Sequence, residues 1–159
     1  MIPGIKKVPG GITAEWLVSR MSDAGHRMTV PRQMVLREIA AYESSFTAGA
    51  LLDDLSRVAP EVGRATVFRT LELLVELGLL QRVHTEAGGT WGHSYILCNL
   101  AGTHHHHLVC TNCGQIADFA GCSLDTLLNE LLAHTSFKVE GHHLELYGRC
   151  ERCHKGAQE

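Results

Sequence analysis

The chain has 159 residues, 45% of them apolar, which is enough for one large or two small domains with a real core. No apolar run approaches the roughly 18 residues of a membrane span, and residues 1–12 lack the apolar stretch of a secretory signal, so a cytoplasmic protein without a membrane partner is expected. The net charge of −3 would weigh against nucleic acid if it were even, but residues 1–82 hold ten Lys/Arg against nine Asp/Glu while residues 83–159 hold four against eight.

Residues 1–12 are Gly/Pro-rich and are expected to be loose. A first helix is predicted over Ala14–Ala24 from Trp16, Leu17 and Met21, stopped at Gly25. A second opens at Thr29-Val30-Pro31, with proline in the tolerated first turn, and runs to about Tyr42. A third follows the Thr47 cap on Leu51, Leu52, Leu55 and Val58 and breaks at Pro60. A fourth covers about Arg64–Leu77, with Val67, Leu71, Leu74 and Val75 inward and Arg64, Ala65, Phe68 and Arg69 on another face. Leu80–Thr85 and Ser94–Leu97 read as a hairpin. Helices followed by a β-hairpin are the order of a winged helix-turn-helix, whose last helix enters the DNA major groove.

After a hinge near residues 99–104 the pattern changes to a small α+β unit. Strands are expected at His105–Val109, Ile116–Phe119, Phe137–Glu140 and His143–Tyr147, with a helix over Ser123–His134. All six cysteines and ten of the eleven histidines lie beyond residue 82. Cys110-Thr-Asn-Cys113 and Cys150-Glu-Arg-Cys153 are matched knuckles that can offer four thiolates to a structural zinc ion. Such an ion would tie the first strand of this unit to its last residues, a staple that a domain this small needs. Ordinary buried cysteines and redox pairs are the competing explanations, and the matched spacing favours metal.

The run His104-His105-His106-His107 precedes a strand. In an extended chain alternate side chains leave opposite faces, so His104 and His106 would serve one side and His105 and His107 the other. Cys98 upstream and Asp118, Asp125 or His142 downstream are candidate partners. Cys122 has no evident partner and reads as a small buried hydrophobe. A zinc hydrolase built on the histidines would want an H-E-x-x-H helix or a nucleophile elbow, and the sequence has neither. A zinc-buffering scaffold would leave Arg69 without a task.

Arg27–Arg32, Ala65-Thr66-Val67-Phe68-Arg69-Thr70, His104–Cys113 and Leu146-Tyr147-Gly148 with the last knuckle resemble, in order, the motifs of the ferric uptake regulator family of metal-sensing repressors. Ser94–Cys98 resembles the zinc uptake regulator branch, in which a cysteine stands where iron and peroxide sensors usually carry a carboxylate; thiolate selects Zn²⁺ over Fe²⁺ or Mn²⁺. The resemblance implies residues 1–98 as a winged-helix DNA-binding domain, 99–104 as a hinge and 105–159 as a metal-binding dimerisation domain. It implies structural zinc at Cys110, Cys113, Cys150 and Cys153. A regulatory site would use Cys98, His105 and His107. The family's fourth ligand position holds Gln81, a poor zinc ligand, with His84 or His93 as substitutes and His84 preferred. A second site would take His104, His106, Asp125 and His142, with Asp118 in reserve. Fe²⁺ or Mn²⁺ are alternative ions at the regulatory sites.

For DNA the resemblance implies Arg69 at base edges, Thr66 and Phe68 beside it, and Arg64, Arg27 and Arg32 at phosphates. Phe68 replaces the family's usual tyrosine and keeps the ring while losing its hydroxyl. The implied protein is a homodimeric, zinc-responsive repressor of metal-uptake genes, on a pseudo-palindromic duplex operator, with no small-molecule substrate. Iron- and peroxide-responsive regulators of the same family are the alternatives.

Overall fold

The computed structural model describes residues 5–7, 12–87, 90–98, 105–120, 125–142 and 144–155. Threonines open the first three helices. Thr13 accepts from the Trp16 amide at the start of α1 (Ala14–Asp23), Thr29 from Arg32 at α2 (Val30–Ala40), and Thr47 from Ala50 at α3 (Ala48–Val58). Each hydroxyl satisfies a backbone donor that has no partner within its helix. Pro31 sits in the first turn of α2, where a missing N–H costs nothing. The fourth helix, α4 (Arg64–Glu76), ends at Gly78, whose φ of +66° suits glycine.

Leu17, Met21, Leu36, Ile39, Leu51, Leu55, Leu71 and Leu74 close the helical core, all essentially inaccessible. Val58 was expected in this stripe, yet it is 62% exposed. As the last residue of α3 it lies beyond the turns that pack on the core, so the helical period alone misplaces it.

The strands begin with β1 (Ile5–Lys7), followed by the hairpin β2 (Leu80–Ala87) and β3 (Thr90–Leu97). Then come β4 (His105–Cys110), β5 (Ile116–Ala120) and β6 (Glu145–Gly148), with α5 (Asp125–Leu132) before β6 and the short α6 (Glu151–Lys155) after it. The second sheet has the order β1-β5-β4-β6, with β4 and β6 parallel. Two expectations need correction. Ile5–Lys7 is not loose but pairs antiparallel with β5, Ile5 opposite Phe119. Phe137–Glu140 is not a strand: among the described residues no ladder reaches it, and Phe137 is 83% exposed.

The hairpin joins the two parts. Val83, Ile96 and Cys98 from its end pack with Val109 and Ile116 of the second sheet in a small apolar cluster separate from the helical core. A bridge between Phe46 and Tyr95, with their rings 5.8 Å apart, ties the hairpin back to the helices.

Candidate metal centres and nucleic-acid face

Parallel pairing of β4 with β6 sets Cys110 opposite Gly148. This register carries both knuckles to the same end of the sheet. The Cys150 amide donates to the Cys110 sulfur at 3.3 Å, the Asn112 side-chain amide donates to Cys153 at 3.2 Å, and the Cys113 and Cys150 sulfurs are 3.7 Å apart. Four thiolates at Zn–S bonds of about 2.3 Å stand about 3.8 Å apart along a tetrahedron's edge. All four sulfurs lie within 4.8 Å of one another, so the donor set and its spacing fit a closed zinc site. Gly114 turns the first knuckle at a φ of +67°, with Ser45 Oγ 3.0 Å from where a Cβ would stand.

The thiols are tuned unequally. Burial pushes Cys110 up, but amide donors from Cys150, Cys113 and Asn112 outweigh it and bring the thiol down to about 6. The Gln115 amide lowers Cys113. For Cys150 the Cys153 amide pulls downward, yet burial and the crowding sulfurs of Cys153, Cys113 and Cys110 prevail and raise it to about 11. A cation is what allows such neighbours to ionise together.

The histidine run alternates as expected. His105 and His107 share one face, with rings 4.9 Å apart and edge-to-face. His106 turns to the other, stacked 5.2 Å from His142. Cys98, His105 and His107 bring one donor atom each within 4.8 Å of the others. Burial first, and then the Asp118 charge, push the Cys98 thiol up to about 12.

Asp118 lies on the His105/His107 side rather than the His106 side. It stands directly opposite His107 in the β4–β5 ladder, and opposed residues share a face. Its Oδ1 is 2.8 Å from His107 Nδ1, both side chains buried. That contact orients the ring and leaves Nε2 for an ion. Gln81 Oε1 is 2.7 Å from this Nε2.

His84 is not brought into this group. Its side chain is 59% exposed, its ring is 4.6 Å from that of His93, and its backbone amide donates to Glu145 at 3.3 Å. Of the other histidine set, His106 and His142 come together, whereas His104 and the Asp125 side chain lie outside the described residues, as does Cys122. The sequence names Asp118 as a candidate partner of the run but keeps it in reserve for the His104/His106 side, whereas it pairs with His107. The odd–even match across two adjacent strands carries that signal only once their register is known.

On α4, Val67, Thr70, Leu71 and Leu74 are buried. The opposite face exposes Arg64, Phe68 and Arg69, with Thr66 half-buried and the Arg64 guanidinium 6.0 Å from the centre of the Phe68 ring. Arg27 is exposed, while Arg32 is half-buried and donates to the Arg27 carbonyl. Among the described residues no helix is long and apolar enough to cross a membrane.

A winged helix-turn-helix joined to a sheet that gathers thiolates and imidazoles defines a metal-responsive DNA-binding regulator. The chain belongs to the ferric uptake regulator family, whose model matches residues 23–147. It is 32% identical to the ferric uptake regulation protein of Vibrio cholerae, over 82% of this chain and 84% of that one. It is 30% identical to the peroxide-responsive repressor PerR of Staphylococcus epidermidis, over 86% and 87%. Among solved structures, a zinc uptake regulator complexed with zinc and DNA aligns with a TM-score of 0.71 at 25% identity, over 93% of this chain and 99% of that one. Membership makes the chain a transcription regulator and not a zinc hydrolase.

Proposed function

We propose that the chain is a homodimeric, zinc-dependent transcriptional repressor that acts in the cytoplasm on genes of metal uptake and homeostasis. The observation that carries the zinc assignment is the Cys98 sulfur within 4.8 Å of donor atoms of His105 and His107. A thiolate beside two imidazoles favours Zn²⁺ over harder ions. The similarity to a regulator complexed with zinc and DNA supports the same reading.

Cys110, Cys113, Cys150 and Cys153 would hold a permanent structural ion. Cys98 follows β3 and its two histidines lie on β4, so the regulatory donors span residues 1–98 and 105–159, the proposed DNA-binding and dimerisation domains joined by a hinge at 99–104. Zinc bound there would supply a positive crosslink between these parts. Filling the site then favours the arrangement that presents two recognition helices to successive major grooves. His106 and His142, with His104 and Asp125, form the proposed second site. Arg69 meets base edges beside Thr66 and Phe68, while Arg64, Arg27 and Arg32 meet phosphates. The half-buried Arg32 also holds the Arg27 backbone in place. Exposed Leu131, Phe137, Val139, Leu146 and Tyr147 fit a second copy covering this part of the chain.

The test is binding of purified protein to promoter fragments of metal-uptake genes in buffers of fixed free Zn²⁺, Fe²⁺ or Mn²⁺. Zinc should give tight binding, with the stripped form weak. Binding with Fe²⁺ alone would favour an iron regulator, the second reading, which the names of the Vibrio cholerae relative and its counterparts support. A peroxide sensor is the other, named by a further relative; oxidant-driven release from DNA would mark it.

A further inference from the structure

Among the described residues β2 and β3 form a two-stranded sheet, so the outward amides of β2 meet no third strand and need partners from elsewhere. Tyr95 of β3 exchanges both of its backbone hydrogen bonds with Phe46, on the side away from β2. Bonded and non-bonded pairs alternate along an antiparallel ladder, so Arg82–Tyr95 is a non-bonded pair and His84–His93 is the next one. The His84 N–H therefore points out of the hairpin, where it donates to Glu145 Oε2 at 3.3 Å. The Tyr147 hydroxyl donates to the same oxygen. The Glu145 side chain is mostly covered, and a covered carboxylate is costly unless donors meet it.

Glu145 stands at a telling place. It pairs with His107 in the parallel β4–β6 ladder, and His107 pairs with Asp118 in the β4–β5 ladder, so the three share one rung of the second sheet. Gln81 on β2 touches His107 Nε2, the nitrogen an ion would take. Glu145 lies outside the Cys98, His105 and His107 donor group, and its contact with the His84 amide involves none of those donor atoms. A bound ion does not compete with that contact.

We propose that Glu145 is a positioning residue for the zinc response: by holding the His84 amide it seats the β2–β3 wing on the second sheet, and so lowers the free zinc at which the regulatory site fills. The inference rests on the regulatory reading of Cys98, His105 and His107. Cys98 directly follows β3, the strand paired with β2, so a seated wing keeps the thiol beside the two histidines. When only a fraction of molecules is seated, apparent affinity falls by that fraction, and zinc must do the seating itself. Loss of Glu145 thus raises the zinc requirement and leaves the loaded site as it was.

The experiment uses full-length protein with zinc in the four-cysteine site. Binding to promoter fragments is titrated against buffered free Zn²⁺, and charge transfer from Cys98 to Co²⁺ reports the ligand set. Glu145→Ala should raise the zinc midpoint about tenfold or more, the scale of one hydrogen bond to a charged group. DNA affinity at saturating zinc and the Co²⁺ bands should match the parent, a pairing that neither a ligand nor a purely structural residue would give. Glu145→Gln keeps an acceptor oxygen and should recover part of the shift. In protein holding only the four-cysteine zinc, the His84 amide should exchange its hydrogen faster in Glu145→Ala than in the parent. An unmoved midpoint, altered Co²⁺ bands, an unchanged His84 exchange rate, or a Glu145→Gln protein no better than Glu145→Ala would each overturn the proposal. Should Glu145→Ala fail to fold, Glu145→Asp, which keeps the charge but draws the oxygen back by one methylene, decides in its place by midpoint and exchange rate. A parent whose DNA binding ignores zinc, or a Cys98→Ser protein that responds as the parent does, sinks the regulatory reading and this inference with it. A response lost in Cys98→Ser, with Glu145→Ala at the parent's midpoint, sinks only the role of Glu145.

Discussion

Asp118 illustrates how one side chain can act on the proposed regulatory site through a neighbour. Its carboxylate holds His107 through Nδ1 and leaves Nε2 as the nitrogen free to ligate an ion. Asp118→Ala should therefore weaken zinc at the Cys98 site about 10- to 100-fold while zinc in the four-cysteine site stays bound, measured by metal content and chelator competition. Asp118→Asn should lose less, since an amide oxygen still accepts from the ring. Cys98 makes a second prediction. Burial holds its thiol up at about 12, well above the roughly 8.5 of a free thiol. A raised folded value means that the neutral thiol stabilises the metal-free fold fully below about pH 8.5, and that this contribution is lost as pH climbs towards 12. Denaturant titration of chelated protein should thus show stability falling through that alkaline window, and Cys98→Ala should remove that part of the fall. Zinc must also displace this proton, so affinity at the site should rise about tenfold per pH unit from the thiol alone near neutrality.

At the scale of elements, α4 divides between a packed face and the exposed face proposed to read DNA. Leu71 is wholly buried, and Leu71→Ala should cost about 2–5 kcal/mol, read by denaturant unfolding. Arg69→Ala, on the exposed face, should leave stability and zinc content unchanged but abolish specific DNA binding in a gel-shift assay. Local signals announce these helices: Thr13, Thr29 and Thr47 precede apolar periods, and Gly78 ends the last. Elements made by distant partners carry no such signal. Ile5–Lys7 is a strand only because β5 offers an edge to it, and a Gly/Pro-rich flank conceals that. Phe137–Glu140 has apolar alternation but, among the described residues, no strand pairs with it. The site follows the same division. Spacing alone announced the four cysteines and the alternating histidines, since knuckles and pleat are local rules. The sequence names Asp118 and Gln81 too, but their meeting at His107 follows from the register of β4 on β5 and the docking of β2, which only the assembled fold determines.

Across the whole molecule, the contact between the hairpin and the second sheet is the route by which an ion at the proposed Cys98 site would be felt by α4. Val83, Ile96 and Cys98 share an apolar cluster with Val109 and Ile116, so the proposed sensing thiol is itself part of the packing that joins the two parts. The cluster is small, and its loss need not unfold the helices, whose core is separate. Val83→Ala tests this link because Val83 is fully buried, lies on β2, and contributes no ligand. The truncation should cost about 1–3 kcal/mol of packing. Because the wing's seat on the sheet holds Cys98 against His105 and His107, zinc affinity there should fall. The ratio of DNA affinity with and without zinc should fall as well, while the four-cysteine zinc and the helical circular dichroism stay as they were. A Val83→Ala protein with undiminished zinc dependence on DNA would mean that ion binding reaches the recognition helix by a route other than this shared core.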